Sequence, residues 1–163
     1  MISNSPKTER RQNIEQTCLR LLARREHSHR ELLGKLALRG YLKNEAEPVI
    51  AEMTEHGWQN DLRFAECYAR QRIAKGYGPI RIRYELQERG IEDFNLDGMA
   101  TEEAGGWLKL LIAVYQKKYG SQQTITPAEW QKRSRYLFQR GFGAIMIKSL
   151  FAELKIKINQ NQA

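Results

Sequence analysis

The chain has 163 residues, 41% of them hydrophobic, with 27 basic and 19 acidic side chains and a net charge of +8. That is enough for one or two ordinary domains or a short repeat array. A membrane-spanning helix is excluded because no run of about 18 apolar residues is present, and the polar segment Met1–Arg11 lacks the apolar core of a secretory signal.

Helical periodicity runs through the chain, and apolar–polar alternation bounded by hairpin turns is almost absent. Ile14, Cys18, Leu21 and Leu22 form the stripe of a first helix near 9–25. Ser28-His29-Arg30-Glu31 has the form of a capping box, which opens a second helix that carries Leu32, Leu33 and Leu36 and ends at Gly40. Asn44-Glu45-Ala46-Glu47 starts a third, with Pro48 in its first turn, Val49, Ile50 and Met53 inward, and Gly57 as its stop. Asn60 and Asp61 are N-cap candidates for a fourth helix, with Phe64, Ala65, Cys67, Tyr68 and Ile73, ending at Gly76. Gly78-Pro79 begins a fifth, which carries Ile80, Ile82 and Leu86 to Gly90. Phe94, Leu96 and Met99 mark a shorter sixth, weakened by Gly98. Gly105-Gly106 is the clearest break. Beyond it, Leu108, Leu111, Ile112 and Tyr115 share one side of a seventh helix over 107–119. Residues 120–125 read as a polar loop, and Thr126-Pro127-Ala128-Glu129 supplies cap, proline and acidic third position for an eighth helix. Ile145, Ile147, Leu150, Phe151 and Leu154 make a ninth, and the polar residues after it should fray.

These nine helices fall into three groups. Leu36-Ala37-Leu38-Arg39-Gly40-Tyr41, Leu86-Gln87-Glu88-Arg89-Gly90-Ile91 and Leu137-Phe138-Gln139-Arg140-Gly141-Phe142 repeat one pattern at glycine intervals of 50 and 51 residues. A fixed period of this size marks a tandem repeat. In each copy glycine provides the left-handed residue that ends a helix, and arginine suits the negative end of the helix dipole. The expected fold is all-α: three tandem three-helix repeats over 9–57, 60–104 and 106–154, in an elongated, curved array with flexible tails at 1–8 and 155–163.

Catalytic and metal constellations are not apparent. His27, His29 and His56 have no cysteine or acid at metal-ligand spacing and read as surface histidines. Gly76-Tyr77-Gly78 lacks the lysine and preceding strand of a phosphate loop, and the serines have no base at a recognisable spacing. Neither enzymatic activity nor a cofactor is expected. Cys18 and Cys67 occupy apolar helical positions and read as buried free thiols of a reduced, cytoplasmic protein.

The densest polar feature is the stretch 68–84, which holds Arg70, Arg72, Lys75, Arg81 and Arg83, no acid, and the aromatic Tyr77 at its turn. Basic side chains beside aromatic rings at a helix–turn–helix corner suit contact with phosphates or an acidic surface. Lys132, Arg133, Arg135 and Arg140 form a second basic patch, which reads more plainly as a solvated face. Residues 121–163 carry seven basic and two acidic side chains, so five of the eight excess charges lie there.

Asp61-Leu62-Arg63-Phe64-Ala65, Lys75-Gly76-Tyr77-Gly78-Pro79-Ile80-Arg81-Ile82, Glu85-Leu86 and Arg89-Gly90-Ile91 resemble the central signature of the RecX family of bacterial recombination regulators. Leu21-Leu22-Ala23-Arg24-Arg25, Ser28, Glu31-Leu32 and Lys35-Leu36 resemble its first repeat, and Tyr136-Leu137, Arg140-Gly141-Phe142 and Ile145 its third. The likeness spans about residues 12–152. Gly143-Ala144 departs from the family in offering no polar cap, and the loop before the eighth helix looks like an insertion. The resemblance implies a monomeric, non-enzymatic modulator that binds the RecA filament on single-stranded DNA and suppresses strand exchange, ATP hydrolysis and co-protease activity. Weak duplex binding goes with it. The competing expectation is a helical transcription regulator that binds duplex DNA without RecA, against which the basic residues sit at a corner and not along one recognition helix.

Overall fold

The computed structural model describes residues 5–160. Nine helices are present among them: α1 (Pro6–Leu22), α2 (His29–Ala37), α3 (Lys43–Glu55), α4 (Asp61–Ala74), α5 (Pro79–Glu88), α6 (Leu96–Ala104), α7 (Trp107–Tyr119), α8 (Pro127–Gln139) and α9 (Ala144–Glu153). Two short strands, β1 (Thr124–Ile125) and β2 (Lys157–Ile158), pair in parallel. The fold is an all-α tandem helical repeat.

The caps follow the residue types. Ser28 accepts the Glu31 N–H while the Glu31 carboxylate accepts the Ser28 N–H, a complete capping box. Asn60 accepts from the Arg63 N–H at 2.9 Å, and Thr126 from the Glu129 N–H at 3.1 Å. Gly40, Gly90 and Gly141 have φ of 81°, 84° and 98°. In each case the next residue's N–H returns to the leucine carbonyl five back: Tyr41 to Leu36, Ile91 to Leu86, Phe142 to Leu137, at 3.1, 2.9 and 3.2 Å. All three Arg-Gly steps are therefore Schellman caps.

Several details differ from the sequence reading. The first helix begins at Pro6, not near residue 9, because Ser5 caps it by accepting the Thr8 N–H and Pro6 takes the first helical position. Of the expected N-terminal tail, 5–8 thus belongs to cap and helix, and 1–4 lies outside the described residues. At the other end the chain does not simply fray after Leu154. The Lys157 N–H donates to Gln123 and the Asn159 N–H to Ile125, so the loop 120–125 contributes a strand; residues 161–163 lie outside the description. α3 starts at Lys43, with Glu45 accepting the Leu42 N–H at 2.8 Å, so Asn44 is not the cap and Pro48 sits beyond the first turn. Cys67 is exposed, whereas Cys18 is buried and burial pushes its thiol up to about 11. His27 is buried, not on the surface, with Nδ1 3.0 Å from the Arg25 carbonyl oxygen.

The chain divides into two compact units: the residues through Cys67 with Leu86–Phe94, and Tyr68–Glu85 with the residues from Asn95 onward. The first buries Ile14, Cys18, Leu32, Leu36, Ile50 and Met53 among others where α1, α2 and α3 meet. The second buries Leu111, Tyr115, Leu137, Phe142, Leu150 and Phe151 between α7, α8 and α9. No described helix is long and apolar enough to cross a membrane.

Candidate partner-binding site

The corner between α4 and α5 lies wholly in the second unit. Gly76 ends α4 with φ of 79°, and its N–H bonds the Ile73 carbonyl at 2.8 Å. Pro79 then starts α5. Into this corner fits the third Arg-Gly step. The Gly78 N–H donates to the Arg140 carbonyl at 2.7 Å, and the Ile80 N–H to the Gly141 carbonyl at 3.1 Å. In return the Arg140 guanidinium donates to the carbonyls of Lys75 and Gly76, at 2.6 and 3.1 Å. The approach leaves no room for side chains. A Cβ on Gly78 would lie 2.5 Å from the Gly141 oxygen, and one on Gly141 would lie 2.7 Å from the Arg81 nitrogen. The Gly-Tyr-Gly-Pro turn is thus first a joint between the second and third repeats.

Tyr77 stands at the centre of that joint. The guanidinium carbons of Arg72, Arg81 and Arg140 lie 3.9, 4.3 and 4.6 Å from its ring centroid. Three cations around one half-buried ring need an anion, and Glu85 supplies it. Its carboxylate accepts from Arg72 at 2.6 and 2.8 Å, from Arg81 at 3.0 Å and from the Tyr68 hydroxyl at 2.9 Å. Burial alone would raise the Glu85 pKa, but these hydrogen bonds outweigh it and hold the carboxyl below its usual value.

The basic run is therefore not the uncompensated surface that its sequence suggests. Arg72 and Arg81 share Glu85, Arg70 pairs with Glu103 at 2.7 Å, and Arg83 pairs with Asp97 at 2.8 Å. Asp97 also accepts the Trp107 indole N–H, at 2.8 Å. Arg72 is largely buried, Arg81 half-buried, and Arg70, Arg83 and Lys75 exposed. Of the residues expected to meet a partner, the structure gathers Arg72, Tyr77 and Arg81 into the joint and leaves Arg70, Lys75 and Arg83 on the surface.

The second patch comes apart in the same way. Arg133 is only 5% exposed. Its guanidinium donates to the Tyr115 hydroxyl at 2.8 Å, to Gln122 at 2.9 Å and to Glu129 at 3.0 Å, so it is a core hydrogen-bonding residue and not part of a solvated face. Arg140 belongs to the joint. Lys132 and Arg135 remain exposed. Lys117 and Lys118, on the last turn of α7, were missed; their signal was an acid-free pair beside Tyr119. Among the described residues no group of three or more His, Cys, Asp or Glu side chains could hold a metal ion.

The second Arg-Gly step docks in a corresponding place within the first unit. Arg89 pairs with Glu31 at 3.6 Å, Arg30 donates to the Gln87 carbonyl, and a Cβ on Gly90 would lie 3.2 Å from that of Arg30. Arg30 and Glu31 open α2, as Gly78–Arg81 opens α5. Each later step thus meets the start of the previous repeat's second helix. The first step differs: a Cβ on Gly40 would meet nothing within 4 Å, its carbonyl accepts from Arg10 at 2.8 Å, and Arg39 bonds the Lys35 carbonyl of its own helix.

Comparison with known proteins gives the same threefold division. The models of the first, second and third three-helix domains of RecX match residues 16–53, 60–97 and 108–151. A regulatory protein RecX of Legionella pneumophila is 37% identical over 139 residues, which cover 85% of this chain and 93% of the relative. One from Halorhodospira halophila is 36% identical, with coverage of 85% and 86%. The crystal structure of RecX from Lactobacillus salivarius shares the fold with a TM-score of 0.66 at 20% identity, over 90% of this chain and 97% of that one. A further crystal structure of a regulatory protein RecX gives a TM-score of 0.71 at 19% identity, over 88% and 72%. With all three domains matched in order and relatives aligned along most of their length, this chain belongs to the RecX family of regulatory proteins.

Proposed function

We propose that the protein binds the RecA filament on single-stranded DNA and inhibits its recombinase, ATPase and co-protease activities, without catalysis of its own. Family membership carries this reading, and the resemblance of the central signature points to RecA as the partner. The excess positive charge supports it further, since filaments on DNA present repeated anionic sites. On this reading the protein works in the cytoplasm as a monomer, with repeats over 9–57, 60–104 and 106–154, and touches several filament subunits through individually weak contacts.

The exposed members of the basic run, Arg70, Lys75 and Arg83, are the residues to test, because alanine at Arg72 or Arg81 would disturb the joint as well. RecA ATPase on single-stranded DNA is measured with substoichiometric protein. The parent should inhibit, and the triple alanine variant should inhibit more weakly at moderate salt with unchanged helical content. No inhibition by the parent at any ratio would overturn the proposal, and full inhibition by the variant would remove these residues from the contact.

A further inference from the structure

A groove with a cavity volume of about 420 Å³ opens in the second unit beside the joint, with which it shares Gly76 and Arg140. Its floor is apolar: Leu110, Ala113 and Val114 lie on one stripe of α7, and the half-buried Tyr136 faces them from α8. Its rim is cationic. Lys75 comes from the end of α4, Lys117 and Lys118 from the last turn of α7, and Arg140 from the end of α8. No acidic residue lines it, and none of the four cations is paired to a carboxylate among the described residues.

Three helix C-termini meet here, and cations at helix ends are expected to offset the dipoles. The magnitudes decide against that as the whole account. Three helix ends carry about −0.5 charge each, so four cations leave a local excess of about +2.5. Arg140 spends its hydrogen bonds on the carbonyls of Lys75 and Gly76, yet keeps its charge. Lys118 lies 3.8 Å from the Tyr136 ring centroid, which holds it at the groove in place of extending into water. An apolar floor with one aromatic ring beneath a ring of unpaired cations matches a phosphodiester strand, whose phosphates meet the rim while a base covers the floor. A duplex is far too broad for a groove of this volume.

We infer that this groove is a binding subsite for a single nucleic-acid strand, with Lys75, Lys117, Lys118 and Arg140 as phosphate contacts and Tyr136 as the apolar platform. The inference rests on the reading of the protein as a regulator of a DNA filament, but its test contains no RecA. A fluorescein-labelled oligothymidylate is titrated with parent, Lys117→Glu/Lys118→Glu, and a control of equal net charge, Lys7→Glu/Lys148→Glu, whose positions lie outside the groove. Anisotropy is read from about 50 mM to about 200 mM salt. The groove variant should bind at least about tenfold more weakly at low salt, and its slope of log affinity against log salt should flatten by about 1.4, or about 0.7 per lost phosphate contact. The control should lose much less. Equal losses in both variants, no binding by the parent, or displacement by poly-glutamate as readily as by unlabelled oligothymidylate would each overturn the assignment. Circular dichroism verifies that the variants fold. RecA inhibition that persists without strand binding would leave the filament reading standing while this one falls.

Discussion

The joint at Gly78 yields the sharpest stability prediction, because its cost is almost entirely spatial. Gly78 does not have a positive φ, so alanine there meets no intrinsic backbone penalty. The added methyl would lie 2.5, 2.6 and 2.8 Å from the Gly141 oxygen, the Gly141 carbon and the Phe142 nitrogen. These are backbone atoms, so relief requires the two segments to separate. Overpacking of this kind costs about 1–3 kcal/mol. Separation also weakens the bonds from the Gly78 and Ile80 N–H groups, each worth about 1 kcal/mol. Gly78→Ala should therefore lose about 3–5 kcal/mol, a large share of the about 5–15 kcal/mol that holds a domain together. At about 2–4 °C per kcal/mol for a chain of this size, the melting temperature should fall by roughly 10 °C. Gly34→Ala is the counterpart. Gly34 lies inside α2 with nothing within 4 Å of its added Cβ, so alanine should stabilise by about 0.5–1 kcal/mol through helix propensity. Thermal melts followed by circular dichroism compare the two. A Gly78→Ala melt within about 2 °C of the parent would refute the close-packed joint.

Glu85→Gln should cost about 3 kcal/mol, since it leaves Arg72 and Arg81 without their shared anion at a pair only 15% exposed on each side. The folded-state pKa of Glu85 lies below its ordinary value of 4.5, so its stabilisation is complete above that pH and is lost as pH falls through the lowered value. Denaturant melts from pH 6 downward should accordingly show a shallower acid loss for Glu85→Gln than for the parent. Arg133→Ala should cost about 3 kcal/mol by stranding the buried Tyr115 hydroxyl, and Arg133→Lys should recover little, because one ammonium cannot replace a fork that reaches Tyr115, Gln122 and Glu129; an Arg133→Lys variant as stable as the parent would count against this. With a thiol reagent at pH 8, Cys67 should react fast and Cys18, buried and pushed up to about 11, only on unfolding, so the native protein should show one fast equivalent.

Helix ends were legible because a cap is local. Ser28 with Glu31, Thr126 with Glu129 and the glycine of each Arg-Gly step carry their structural meaning within six residues of sequence. The ion pairing of the basic run went unseen in the sequence for two reasons. Arg81 and Glu85 are four apart on one helix, a pairing that spacing alone could have shown. Arg72 reaches the same carboxylate only because the corner folds α4 against α5, and Glu103 and Asp97 come from α6, which no local rule brings near Arg70 and Arg83. Arg133 had a signal too. It is four residues before the buried Leu137, so it shares the core-facing side of α8. Ile145 is the mirror case: it stands two residues from Ile147, off the stripe formed with Leu150, Phe151 and Leu154, and is 84% exposed.

The three Arg-Gly steps end helices in one way, but their arginines do different work. Arg39 bonds the end of its own helix. Arg89 meets the repeat before its own at the start of that repeat's second helix, and the Arg140 guanidinium meets the end of the preceding repeat's first helix, at the carbonyls of Lys75 and Gly76. A repeat array needs such a contact, since a three-helix unit of about 50 residues buries too little surface alone. Where a joint forms, it consumes the charge that sequence inspection would assign to a partner. Arg72 and Arg81 share Glu85 within it, which cancels one of their two charges. Arg140 differs because its bonds go to neutral carbonyls, so the joint fixes its position without cancelling its charge. That is why the cationic groove forms beside this joint: Arg140 ties the end of α4 to α8 and so brings Lys75 to the same rim as Lys117 and Lys118. The residue that closes the array is also one that shapes its surface for an anion.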